Sequence, residues 1–177
     1  MKKENIAAIY NLYVDDLHTY GLYLGFEKEV VMDAIHDVFC KLAADKTLLN
    51  TPTIKFFLFK SLKNRLIDIY KTQKKHINLS EIDTSRAMPF DIKVTIEDII
   101  QNREERRQVK NQIEEMMNSL TDKQREIIYL RYIQEYDYPQ IAELLDISVN
   151  GCYKLVSKAL QSLRDKFGVL AILLLLS

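Results

Sequence analysis

The sequence predicts an all-α protein: two small helical domains joined by a flexible linker, the C-terminal one containing a helix-turn-helix. Three observations predict it. The 177 residues include only 4 glycines and 3 prolines, too few to punctuate many short strands. Apolar residues recur at helical spacing in two stretches, 6–75 and 96–167, with weak periodicity between them. The length suits one ordinary domain or two small ones, and 47% hydrophobic with 28% charged residues is the composition of a packed fold. The expected divisions are 1–75, a linker over 76–95, a second domain over 96–167, and an apolar tail over 168–177.

In the first domain, Ile6, Ile9, Leu12, Tyr13 and Leu17 mark one helix face. Val30, Val31, Ala34, Ile35, Val38, Phe39 and Leu42 mark another. Thr51-Pro52 reads as a helix start, a cap followed by a proline preset at the first position. The helix after it carries Ile54, Leu58, Leu62, Leu66 and Ile69 on one side. Lys60, Lys63, Asn64, Lys71 and Lys74 fall on another. His76 to Thr95 holds Pro89 and several Ser and Thr, and is expected to order only against a partner.

In the second domain Val109, Ile113, Met116 and Leu120 mark a helix. Thr121-Asp-Lys-Gln124 reads as a capping box opening the next, in which threonine and glutamine satisfy each other's free backbone donors. Pro139 opens a third helix and Ser148 caps a fourth. Gln140 to Leu160 therefore has helix-turn-helix form. Ile141, Leu145, Ile147, Cys152 and either Leu155 or Val156 would fill the space between its helices. Ala142 is small at the close approach. Asp146 takes the turn position that often demands a left-handed backbone, which Asp tolerates better than most residues. Ser148, Asn150, Tyr153, Lys154, Ser157 and Lys158 would then face outward, where a helix start can enter a major groove. A helical pair that merely packs has the same pattern.

The formal net charge is zero, but it is unevenly placed. Positions 55–75 carry seven basic residues (55, 60, 63, 65, 71, 74, 75) against Asp68 alone; 81–105 carry seven acidic against three basic. Local fields, not the sum, attract a polyanion. Around the first tract lie Phe56, Phe57, Phe59 and Tyr70. Unstacked bases could rest on such rings while cations follow the phosphates, although a solvated basic face over an aromatic core is the commoner arrangement.

Other classes find little footing. His36 and Cys40 could share a metal but lack further ligands; a small buried Cys beside a polar His is the plainer expectation. Asp33 and Asp37 have no nucleophile near them in sequence and read as a docking or solvated face rather than an acid–base pair. No catalytic residue, cofactor or small-molecule substrate is expected. Two far-separated cysteines suit a reducing cytoplasm. The N-terminus lacks the long apolar core of a signal peptide. Val169 to Leu176 is apolar, but at ~1.5 Å per helical residue it falls far short of the ~30 Å bilayer core.

Taken in order, these segments resemble the extracytoplasmic-function (ECF) branch of the sigma-70 family of RNA polymerase sigma factors. Asp33-Ala-Ile-His-Asp-Val-Phe39 is similar to the family's acidic region two helix, with Met32 and His36 in place of its usual glutamate and glutamine. Ile54 to Asp68 is similar to the minus-ten segment, with Phe57 in place of tryptophan and Asn64 and Asp68 matching. Leu120 to Tyr132 resembles the opening of region four, and Tyr138 to Val149 its helix-turn-helix. The resemblance implies that Asp33, His36, Asp37 and Phe39 dock on core RNA polymerase. It implies that Lys60, Lys63, Asn64, Lys71, Lys74 and Lys75 engage and open the minus-ten element of promoter DNA. Ser148, Asn150, Tyr153, Lys154, Ser157 and Lys158 would read the minus-thirty-five element. It further implies an anti-sigma factor as partner, a cytoplasmic, nucleoid-associated location, and no enzymatic activity of the chain's own. The reading helix departs from the family pattern, with Tyr153 and Leu155 where cations are frequent, so the promoter sequence does not transfer. A stand-alone helix-turn-helix regulator, or a decoy that binds an anti-sigma factor, would share part of this pattern.

Overall fold

A computed structural model describes residues 2–45, 53–76, 90 and 103–169. The Thr51-Pro52 helix start, all of the 77–95 segment except Phe90, the side chains of Lys74 and Lys75, and the tail beyond Val169 lie outside the described residues. The chain divides into two compact units, Met1–Arg86 and Ala87–Ser177. Among the described residues every regular element is helical.

The first unit is built from α1 (Lys2–Tyr23), α2 (Lys28–Ala44) and α3 (Ile54–His76). α1 ends in a Schellman motif. Gly25 takes φ 81°, its N–H reaches Leu22 O at 2.9 Å, and Phe26 N–H reaches Gly21 O at 3.4 Å. The turn satisfies carbonyls that the helix end would strand and sends the chain directly into α2. Leu17, Tyr20 and Leu24 from α1 meet Val31, Ala34, Ile35, Val38, Phe39 and Leu42 from α2, and Leu58, Phe59, Leu62 and Leu66 from α3. The Tyr20 and Phe59 rings lie 5.1 Å apart, and Tyr10 meets Phe39 edge-on at 5.0 Å.

α1 and α2 approach closely because Gly21 has no side chain. A Cβ there would stand 2.5 Å from Val31 Cγ1 and 2.8 Å from Cγ2. Between α2 and α3, Arg65 Nε donates to Asp37 Oδ2 at 2.8 Å, with side chains 40% and 43% exposed. At that exposure the pair contributes about 1 kcal/mol or less. Burying one large apolar side chain contributes ~1.5–3 kcal/mol, so packing rather than the ion pair holds the unit.

The second unit comprises α4 (Arg103–Asn118), α5 (Asp122–Ile128), a wide π-helical turn (Tyr129–Ile133), α6 (Tyr138–Leu145) and α7 (Val149–Phe167). α5 opens with the expected box: Gln124 N–H donates to Thr121 Oγ1 at 3.4 Å, and Thr121 N–H to Gln124 Oε1 at 3.0 Å. A second box, not anticipated, opens α6. Gln140 N–H donates to Asp137 Oδ1 at 2.8 Å and Asp137 N–H to Gln140 Oε1 at 3.1 Å. Pro139 thus sits inside the first turn, where its missing N–H is harmless. Asp146 ends α6 in the left-handed region, φ 53° and ψ 51°, and Ser148 Oγ caps α7 by accepting from Gly151 N–H at 3.0 Å.

Ile141, Ala142 and Leu144 of α6 pack with Cys152, Val156, Ala159 and Leu163 of α7 over Ile127, Ile128 and Leu130. One expectation is corrected and one alternative is resolved. Leu144, not the half-buried Leu145, enters the core, and of Leu155 and Val156 it is Val156 that is buried. The buried Phe90 also departs from the expected linker. It is fully enclosed, its ring 5.6 Å from Tyr129 and its N–H on Asp122 Oδ1 at 3.2 Å.

The Gly21–Val31 contact predicts that Gly21→Ala costs about 1–3 kcal/mol by overpacking, read as a lowered urea midpoint. The Gly21→Ala, Val31→Ala double variant should cost less than the two single changes added. At Asp146 the left-handed backbone predicts that Asp146→Val costs about 1–2 kcal/mol, whereas Asp146→Gly stays within about 1 kcal/mol of the parent. Equal midpoints for the Val and Gly variants would contradict this.

Candidate nucleic-acid interface

α7 separates its residues by face. Cys152, Val156, Ala159 and Leu163 are buried, while Asn150, Tyr153, Lys154, Ser157 and Lys158 are exposed. Burial alone raises the Cys152 thiol pKa, as befits a core thiol rather than a nucleophile. Ser148 is exposed but its hydroxyl already caps the helix, so the residue ties the reading face to the turn. The first α7 amides point out from the end of a helix dipole, a setting that favours phosphate oxygens. The exposed stripe therefore offers one amide, one aromatic ring, one hydroxyl and two ammonium groups along a convex surface.

Beside it lies an aromatic cluster that the sequence reading did not assemble. Tyr153 packs against Tyr138 with ring centroids 4.0 Å apart and planes tilted 30°. The Arg131 guanidinium lies over the Tyr138 ring at 4.9 Å and is anchored by a 2.9 Å hydrogen bond to Tyr136 O. Tyr132, Tyr138, Tyr153, Val156, Leu160 and Arg164 line a cleft of about 470 Å³ on this side of α7. Burial chiefly, and then Tyr138, push the Tyr132 pKa up, with Arg131 opposing. The Tyr132 phenol is thus un-ionised at neutral pH. The wide turn is what brings Arg131 and Tyr132 here. Gln134 N–H reaches back to Tyr129 O at 3.0 Å, and Gln134 Nε2 donates to the buried Tyr129 hydroxyl at 2.8 Å. Such wide turns recur at functional sites. Arg131 and Tyr132 stand within the Leu120–Tyr132 motif, but only their distance from Tyr138 marks them as part of a site.

In the first unit the candidate residues divide. Asn64 and Lys71 are exposed on α3 and Lys60 is half-buried. Lys63 is buried, 8% exposed, and is corrected from the open basic face to the helix's flank. Phe59, expected among the rings available to bases, is wholly in the core; Phe56 and Phe57 are half-buried and Tyr70 is 39% exposed. On α2, Asp33 and His36 are exposed. His36 Nε2 lies 3.5 Å from Cys40 Sγ, and Cys40 is exposed, not buried as expected. Phe39 is 6% exposed and packed edge-on against Tyr10. It therefore offers little surface of its own on the α2 face. Asp37 is already engaged by Arg65. Arg65, counted in sequence only as one charge of the tract, is thereby a bridge between the acidic and basic helices.

Among the described residues no group of three or more His, Cys, Asp or Glu could hold a metal ion. No described helix is long and apolar enough to cross a membrane.

Residues 110–163 match the family described as Sigma-70, region 4, a span that covers α5, the wide turn, α6 and most of α7. Over 159 residues the chain is 22% identical to the ECF RNA polymerase sigma factor SigM of Bacillus subtilis, covering 90% of this chain and 93% of that protein. It is also similar to UPF0122 proteins. That of a Thermoanaerobacter species is 45% identical over 53 residues, 28% of this chain and 45% of the relative. That of Caldanaerobacter subterraneus is 43% identical over the same length and shares. The capped helix pair thus lies inside a region-four match, and nearly the whole chain is similar to an ECF sigma factor.

Proposed function

We propose that this chain is a sigma factor of the ECF branch of the sigma-70 family, which binds core RNA polymerase, directs it to a defined class of promoters and helps open the minus-ten region. The observation that carries the reading is the exposed Asn150–Lys158 stripe, presented by a doubly capped helix pair inside the region-four match. Residues 96–167 are assigned to the minus-thirty-five element, with Ser148, Asn150, Tyr153, Lys154, Ser157 and Lys158 along the reading face. Residues 1–75 are assigned to polymerase binding and the minus-ten element. There Asp33 and His36 present the docking face, with Asp37 and Phe39 bracing it, and Lys60, Asn64, Lys71, Lys74 and Lys75 follow the opened strand. Lys63 supports that helix from its flank. Residues 76–95 serve as the tether.

In this scheme the polymerase supplies the catalysis and its metal, and the chain supplies address and opening. An anti-sigma factor that covers one of these faces, and residence at the nucleoid in the cytoplasm, belong to the same proposal.

Run-off transcription with purified core polymerase on a promoter library tests it. Specific starts that require the chain support the reading. A chain that neither associates with core nor redirects initiation sinks it, and duplex binding that needs no polymerase would favour a stand-alone regulator. Lys154→Ala and Lys158→Ala should weaken binding over the upstream element across sequences, each lowering the salt slope by roughly 1, with unchanged thermal melting. An unchanged upstream footprint would remove α7 as the reading helix. Asn64→Ala should lower permanganate reactivity of minus-ten thymines while leaving the upstream footprint intact; equal reactivity in parent and variant would contradict the assignment of α3.

A further inference from the structure

We infer that Tyr153 reads a thymine through its C5 methyl group, and that Tyr138 and Arg131 are positioning residues that fix the Tyr153 ring before DNA arrives. This deepens the proposed role of α7 and rests on it.

Tyr153 is 53% exposed in the second turn of α7. An exposed tyrosine on a helix ordinarily samples several rotamers and loses that freedom on binding. Here the ring is held at 4.0 Å from Tyr138. Tyr138 is the first residue of α6, whose backbone is locked by the Asp137–Gln140 box. Arg131 covers the Tyr138 ring at 4.9 Å and is itself pinned to Tyr136 O at 2.9 Å. Each member of the row is tied to the next, and the row ends on backbone. Of the three, Tyr153 is the most exposed, and its remaining face and edge point outward.

The chemistry of the stripe says what that ring can meet. Asn150, Tyr153 and Ser157 follow one another at helical spacing along the outward face, and none is a cation. This line cannot make the bidentate contact to guanine O6 and N7 that arginine or lysine makes. An amide suits adenine, and an apolar ring suits the thymine methyl. Lys154 and Lys158, to the side, are left for phosphates. A ring fixed in advance discriminates better than a mobile one, because a misplaced methyl cannot be followed by a rotamer change.

The test uses the full chain bound to core polymerase and an upstream duplex selected from a randomised library. Each thymine is replaced in turn by deoxyuridine, which deletes only the methyl. At one thymine the parent should lose about fourfold in affinity, the effect of one buried methyl group. Tyr153→Ala should bind both duplexes alike. Tyr138→Phe, which keeps the ring, should retain the discrimination. Tyr138→Ala should lose most of it, and Tyr138→Leu, which fills the space without a ring, serves if the alanine variant melts early. A parent indifferent to every deoxyuridine, or a Tyr153→Ala protein that still discriminates, overturns the inference. Full discrimination by folded Tyr138→Ala or Tyr138→Leu overturns the positioning role. If Lys154→Ala weakens binding while Tyr153→Ala changes nothing, this inference alone fails; if neither changes upstream binding, the assignment of α7 fails with it.

Discussion

The crossing of α6 over α7 is the constraint on which the second unit depends. It is fixed at one end by a left-handed residue, Asp146, and along its length by Ile141, Ala142 and Leu144 against Cys152, Val156 and Ala159. The turn alone would leave the helices free to hinge. The packing alone would allow other crossing angles, since aliphatic surfaces are not directional. Together they leave one arrangement, in which Ser148 caps α7 and the opposite side of that helix is committed to the outside. Every candidate DNA contact on α7 inherits its direction from this crossing.

The first unit solves a different problem, that of holding an acidic helix beside a basic one without neutralising both. Its core is mainly apolar and aromatic, with Lys63 buried at its flank, and the Asp37–Arg65 contact lies at the rim, about 40% exposed on each side. Deeper burial of that pair would risk a desolvation cost exceeding its Coulombic gain. At the rim it is nearly neutral in energy, while Asp33 on α2 and Asn64 and Lys71 on α3 stay open. The glycine at position 21 lets α1 and α2 pack at close range.

What could be read along the chain was whatever is written within about one helical turn. The Thr121–Gln124 box, the Ser148 cap and the left-handed Asp146 were all anticipated, because each depends on residues three or four apart. Errors arose where neighbours in sequence compete for one place in space. Leu144 and Leu145 are equally apolar, and only the rotation of α6 against α7 chooses between them. Lys63 lies at the border of the basic face, and its burial depends on how close the neighbouring helix comes. Phe39 stands apart from these: its place in the docking motif is unaffected, but its ring packs edge-on against Tyr10, 29 places earlier, which no local pattern shows.

By itself the sequence determined the helical class, the two-part organisation around a polar interval, and the direction of most α7 side chains, because caps, turns and apolar periodicity are short-range properties of the chain. Tertiary structure alone decided that Phe90 leaves the interval to enter the second core, that a wide turn carries Arg131 and Tyr132 to Tyr138, and that Tyr153 is held rather than free. Those outcomes turn on contacts between residues five to nearly forty positions apart. Such contacts exist only once the helices have packed, and no local pattern encodes the distance between two rings on different helices.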